Sequence, residues 1–451
     1  MARPVDSARA GPGVWAQGRA ATTAGILLLI SLTAFESMGV GTAMPAVVAD
    51  LGGVGLYAWP FVLFLASAVF ATAAGGRWCD TRGPRVPLVA APVVFGAGLL
   101  VAGTATTAAQ LLAGRVLQGL GAGVGGVAVY VLVAAVYPAR LRPAVFGLIS
   151  SAWVLPSLVG PPLAGFVTAR FGWHWVFLGL LPVVAVAVLL VLPAARGTGP
   201  PPRSPDGSPV LAALGAAAGV AALSWALSDR GPLALLAGAG AVAVLVPALR
   251  RLLPRGTASV RPGVAAAVAA RGLVAAAFFP VGAFLPLVLT ATHGWSLAWA
   301  GLPLIVASLG WSGAAAWQGR HPERDRSALL RTGFATIAAG QLGLVPVAAG
   351  WLPGWCAVGF WGLSGLGMGI AFSAIAYLTL AHSTASDVGA NSSAAQLLDQ
   401  LTQATFVGIG GALLALLGSP VVAMPVLLLI VAVPAVLGAV TAGRTRVTPA
   451  P

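Results

Sequence analysis

Glu36, Arg115 and Asp399 each fall inside a long apolar stretch of this 451-residue chain. A charged side chain at the centre of a hydrocarbon layer costs about 2.5–3.5 kcal/mol or more, so residues of this kind are expected to work. A carboxyl surrounded by apolar groups holds a proton more readily than one in water, and can therefore take up and release protons. The expected chemistry is proton exchange at Glu36 and Asp399, with Arg115 as a counter-charge. No catalytic cluster competes with that reading, because His174, His293, His321 and His382 stand apart with no grouping of acids around them. Lysine is absent altogether, which excludes a phosphate-binding GxxxxGK loop and with it an ATP-driven pump. No metal or cofactor is expected; protons are the coupling ion.

The elements that must position these groups are membrane helices. The chain is 59% hydrophobic and only 8% charged, whereas a soluble domain carries roughly 25% charged residues. At ~20 apolar residues per span, helices are predicted at 21–49, 56–76, 86–106, 108–136, 143–168, 174–193, 209–228, 232–252, 264–291, 296–317, 329–350, 354–381, 388–418 and 420–442. The pair at 209–252 decides between twelve spans and fourteen. Before Arg250 it carries only Asp229 and Arg230, together where a tight turn would sit, and a solvated linker would be polar throughout. The true linker is the proline-rich segment from Gly197 to Pro209. Residues 1–196 are thus expected to form one six-helix bundle, 197–262 a linker with two further helices, and 263–451 a second six-helix bundle.

Orientation follows from the basic residues, all 24 of which are arginine. With the N-terminus inside, all but three fall on cytoplasmic segments, Arg271 among them; Arg170 and Arg230 lie outside and Arg115 lies within a helix. Both termini are then cytoplasmic. The net charge of +14 is a topology signal and implies no nucleic-acid partner. The N-terminal apolar run is too long for a cleaved leader and contains Glu36. Cys79, in a cytoplasmic loop, and Cys356, near the outer face, are not expected to pair.

Three motifs then acquire meaning. Gly76, Asp80, Gly83 and Arg85 have the spacing G-x-x-x-D-x-x-G-x-R, which resembles the signature loop of the major facilitator superfamily. Its glycines permit a tight interhelical turn; Asp80 can pair with Arg85 and face the positive end of a helix in the other half. Related proteins often carry an acid near the inner end of the fourth helix, where this chain has Tyr137. Arg115, Gln118 and Gly119 are similar to the superfamily's R-x-x-Q-G helix motif. Gly121 to Gly126 match GxGxxG formally, but inside an apolar helix they are expected to be packing notches. Gly160, Pro161 and Gly165 resemble the G-P-x-x-G-G motif of the superfamily's exporters, with Ala164 in place of one glycine. Prolines bend a helix and small residues admit a close neighbour.

Glu36, followed by Ala43 and Pro45, is similar to the first helix of fourteen-span drug:proton antiporters. At ~1.5 Å per residue Glu36 stands ~20 Å from the cytoplasmic end, and Asp399 three turns into its helix. The resemblance implies an all-α fold of fourteen transmembrane helices, rocking around a midplane cavity. Trp59, Trp153, Phe278, Phe279, Tyr377, Asn391 and Gln403 are candidate cavity residues. Two buried acids against one buried base suggest a lipophilic, cationic cargo. The expectation is a monomeric, proton-driven exporter in a bacterial inner membrane. Export of a lipid or glycolipid is the alternative within the fold, and a membrane-embedded enzyme the alternative outside it.

Overall fold

Inside a bilayer every backbone N–H and C=O must find its partner within the protein, which leaves helices as the natural form for uncharged runs of this length. The computed structural model describes residues 13–16, 19–138, 141–195, 210–229, 231–321, 323–384 and 387–446. The linker 197–209, both extreme termini, and Arg3, Arg9, Arg140, Arg196, Arg203 and Arg230 lie outside the described residues. In chain order the helices are α1 (Ala20–Leu51), α2 (Trp59–Arg82), α3 (Arg85–Gly103), α4 (Ala108–Val136), α5 (Arg142–Ser151), α6 (Val154–Phe171), α7 (His174–Leu178) and α8 (Leu181–Ala195). Then follow α9 (Val210–Ser228), α10 (Pro232–Leu252), α11 (Val264–His293), α12 (Leu297–Ala300), α13 (Leu302–Arg320), α14 (Arg326–Ala348), α15 (Cys356–Ala381), α16 (Val388–Leu417) and α17 (Pro420–Thr441). Among the described residues 13 helical stretches are long and apolar enough to cross a membrane, with α7–α8 and α12–α13 each forming one. The broken pair α5–α6 makes the fourteenth pass.

That break corrects the continuous fifth helix expected over 143–168. Pro156 has no N–H to give to the carbonyl of Ala152 four residues back. The freed carbonyl accepts instead from the Ser31 hydroxyl of α1 at 3.0 Å, so the interruption is satisfied and held by a neighbour. Pro161 and Pro162 lie within α6 and do not interrupt it. A second correction concerns the loop after the second span. Helix α2 runs on to Arg82, so Gly76, Cys79 and Asp80 are helical, and only Gly83, at φ 77°, makes the turn.

Helices α1–α8 pack mainly with one another, as do α11–α17. Their glycines let backbones meet. A Cβ on Gly121 would lie 2.6 Å from the carbonyl oxygen of Ala91 in α3, and one on Gly123 2.8 Å from Ala71 Cβ in α2. The extra pair α9–α10 stands beside the seam between bundles, α9 touching both α2 and α16.

The two bundles meet most closely at the end opposite the arginine-rich connections. There Tyr57 donates to the carbonyl of Ala283 at 2.8 Å and stacks on Phe284 with centroids 5.1 Å apart. Helix α6 packs on α12 and α13. Toward the arginine-rich end α4, α5 and α15 pack essentially within their own bundles, and Tyr130, Trp153 and Tyr377 are exposed. A crevice therefore opens at that end and closes at the other.

Candidate functional site

Glu36 lies halfway along α1, and Arg115 two turns into α4. The two helices bring the side chains into a buried ion pair, Arg115 Nη1 donating to Glu36 Oε1. Arg115 Nη1 also donates to Gln118 Oε1 at 2.8 Å, and Nε to the carbonyl of Pro60 at 3.0 Å. Its guanidinium carbon lies 4.5 Å from the Phe64 ring centroid. Glu36 and Gln118 are fully buried. Glu36 Oε2 and Gln118 Nε2 have no hydrogen-bond partner among the described residues. The arginine of the R-x-x-Q-G pattern is thus the counter-charge to the acid of the first helix, and its glutamine completes the cluster.

Asp399 is also paired, which the sequence reading missed. Arg271, placed there among the cytoplasmic arginines, is the eighth residue of α11, ~10 Å inside the helix. Its Nη2 lies 3.3 Å from Asp399 Oδ2. The guanidinium carbon stands 3.6 Å above the ring of Phe372. Gln403, one turn beyond Asp399, stands beside the carboxylate. Among the described residues the interior therefore holds two acids and two bases, not two acids and one, and the case for a cationic cargo loses its charge surplus. The signal was in the sequence: Arg271 is flanked by apolar residues on both sides, the same criterion that singled out Arg115.

The candidate cavity residues divide. Phe279 and Gln403 are half-buried at mid-depth in the second bundle. Phe278 is buried and stacked on Trp361 at 4.5 Å, so it is a packing residue. Trp59 sits at the closed end beside a small void bordered by Gly55, Ser224 and Gly411. Tyr377 lies near the arginine-rich end, with Arg326 5.4 Å from its ring. Asn391 is buried and donates to the Ser383 hydroxyl at 2.9 Å, a structural tie near the same end. Trp153 is exposed at the break between α5 and α6.

The expected gating residues also take definite places. Gly160 faces Met38 and Phe35 of α1. Pro161 and Gly165 face the second bundle: a Cβ on Gly301 would lie 2.9 Å from Pro161 Cβ, and one on Gly165 2.8 Å from Ala298 Cα. Asp80 makes no ion pair with Arg85 or any other described residue in this conformation. Tyr137 donates to or accepts from the Thr23 hydroxyl at 2.7 Å, tying α4 to the start of α1.

A side chain at position 165 would collide with the backbone of α12. Gly165→Val is therefore expected to destabilise the closed end by about 1–3 kcal/mol, a population shift of roughly fivefold or more. Spin labels at the exposed positions Phe171 and Trp299, in a background without Cys79 and Cys356, will report it as a longer mean distance. An unchanged distance distribution removes Gly165 from the gate.

Residues 26–405 match the pattern that defines the Major Facilitator Superfamily. An MFS-type transporter of the acurin A biosynthesis cluster of Aspergillus aculeatus is 31% identical over 43% of this chain and 37% of its own length. A multidrug transporter of Bacillus subtilis is 28% identical over 39% of this chain and 33% of its own. A probable multidrug-efflux transporter of Mycobacterium tuberculosis is 29% identical over 70% of this chain and 59% of its own. The match thus spans between a third and three fifths of these relatives. The fold resembles the crystal structure of an auto-inhibited POT family peptide transporter, with a TM-score of 0.68, 14% identity, and 95% and 98% of the two chains covered. Fourteen helical passes, a crevice between two bundles, charges paired within each bundle, and a family match over residues 26–405 converge on one assignment: the chain belongs to the Major Facilitator Superfamily, a family of transporters and not of enzymes.

Proposed function

We propose that this protein is a proton-coupled exporter of lipophilic small molecules, working by alternating access between its two bundles. The buried Glu36–Arg115–Gln118 cluster carries the reading. A carboxylate held by an arginine in an apolar interior has two stable arrangements: ionised and paired, or protonated with the arginine released. Exchange between them is a two-state element that a proton can bias. Asp399 and Arg271 form a second such pair in the other bundle.

Glu36 is fully buried with the crevice open at the arginine-rich end, so its proton arrives in the alternate conformation, when the opposite end opens. The arginine-rich end faces the cytoplasm of a bacterial cell, with both termini there. Asp80, without an ion pair to any described residue while that end is open, fits a lock engaged only when the end closes. The small-residue surface of Gly160, Pro161 and Gly165 supports export, as do the multidrug transporters among the relatives. Arg271 balances Asp399, so the interior charges give no preference for a cationic cargo. One chain contains the whole crevice, so the monomer is the working unit.

In cells lacking other pumps, expression should lower accumulation of a lipophilic dye such as Nile red, and a protonophore should restore it. If dye accumulation is unaffected while a glycolipid or fatty-acid derivative appears in the outer leaflet, lipid export replaces this reading.

A further inference from the structure

The ion pair in the second bundle is slack and under-satisfied. Charge-assisted N–H···O bonds ordinarily measure ~2.7–2.9 Å, whereas Arg271 Nη2 and Asp399 Oδ2 are 3.3 Å apart. Arg271 Nε and Asp399 Oδ1 are buried without a hydrogen-bond partner among the described residues, with Gln403 beside the carboxylate. Buried polar atoms are satisfied in the great majority of cases, so an orphan on each member of one pair calls for an explanation. Together they offer a donor edge, on the guanidinium, beside an acceptor, on the carboxylate.

The pair heads a row of aromatic rings. The Arg271 guanidinium stacks 3.6 Å above Phe372. Phe372 lies 5.2 Å from Trp311 at 60°, and Trp311 lies 6.2 Å from Phe279 at 62°. All three rings are half-buried, while Phe278 and Trp361, stacked on each other, are buried. Along α11, Arg271 and Phe279 are separated by ~12 Å of helix, about the length of three fused rings. The row belongs to α11, α13 and α15. The Arg271 side chain keeps 18% of its surface exposed. Guanidinium planes both stack on aromatic faces and present hydrogen bonds along their edge.

We propose that Arg271, Asp399, Phe372, Trp311 and Phe279 form one wall of a binding site for flat polycyclic molecules that carry a carbonyl beside a hydroxyl. The rings lie along the aromatic row, the carbonyl oxygen accepts from the Arg271 edge, and the hydroxyl donates to Asp399 Oδ1. The proposal rests on the export reading only for its physiological meaning; the site is a matter of binding.

Purified full-length protein in lipid nanodiscs is titrated with 1,4-dihydroxyanthraquinone, with anthraquinone, which lacks the hydroxyls, and with anthracene, which lacks both groups. The dihydroxy compound should bind most tightly and anthracene most weakly. Arg271→Gln should weaken the dihydroxy compound at least about tenfold, equivalent to ~1.4 kcal/mol, and leave anthracene unchanged; Trp311→Leu should weaken all three. If Arg271→Gln fails to yield folded protein, Arg271→Lys serves instead, since it keeps a positive charge but loses the planar edge. Equal affinity for the three compounds, or no response of the dihydroxy compound to Arg271 variants, overturns the site. Binding without cellular efflux overturns the export reading and leaves the site; protonophore-sensitive efflux of Nile red without quinone binding does the reverse.

Discussion

Glu36→Gln is expected to end export driven by a proton gradient while leaving the protein folded in the membrane. Glutamine keeps the shape of the side chain and an oxygen that accepts from Arg115, but it cannot ionise. The arginine also keeps the carbonyl of Pro60, Gln118 Oε1 and the Phe64 ring as neutral partners. If Glu36 takes up a proton in each cycle, the protein visits a neutral residue at position 36 in every turnover and must tolerate one. Protein levels and melting behaviour should therefore stay near wild type while proton-driven efflux falls to background. Exchange of substrate for substrate down its own gradient should survive, because that mode needs no proton. Normal proton-driven efflux in this variant would move coupling away from the first bundle.

Arg115→Leu is expected to have the largest effect on stability. It leaves Glu36 buried with no counter-charge and Gln118 Oε1 without its donor. Removing one partner of a buried ion pair typically destabilises by about 3–5 kcal/mol, because the remaining charge is uncompensated. The amount of protein in the membrane and the melting temperature of the purified protein should both fall. Replacing both members, Glu36→Leu with Arg115→Leu, should recover most of the loss, since a buried pair exchanged for apolar side chains is often neutral or better. The difference between the double variant and the sum of the singles measures the coupling directly. The double variant should remain inactive. Additive losses would mean that the pair observed between α1 and α4 contributes little to holding them together.

The places where the sequence was misread are informative because each has a local cause. Arg271 lies two turns inside α11 but follows Arg261 and Pro262 closely, so counting arginines by end drew it into the loop. Asking what flanks it would have placed it correctly. The interruption of the fifth span at Ala152–Trp153 was masked by Pro161 and Pro162, which attract attention yet lie in continuous helix. Pro156 causes the break by freeing one carbonyl, and only the position of Ser31 on another helix shows how that carbonyl is satisfied. Among the aromatic candidates, spacing could not separate half-buried Phe279 from buried Phe278, because consecutive residues on a helix point about 100° apart.

Span number, span type and the depth of Glu36, Arg115 and Asp399 were determined by the sequence alone. These depend on apolar length and on the position of a charge within it, both properties of one continuous segment. Which charges meet was decided only by the tertiary structure. The pairs Glu36–Arg115 and Asp399–Arg271 join residues far apart in the chain, as do the approaches of Gly165 to Ala298 and of Pro161 to Gly301 at the closed end. Pairing across helices depends on their axial and rotational register, to within less than a helical turn. That register is set by where small residues on different segments let two backbones approach, a relation between segments that no single segment contains.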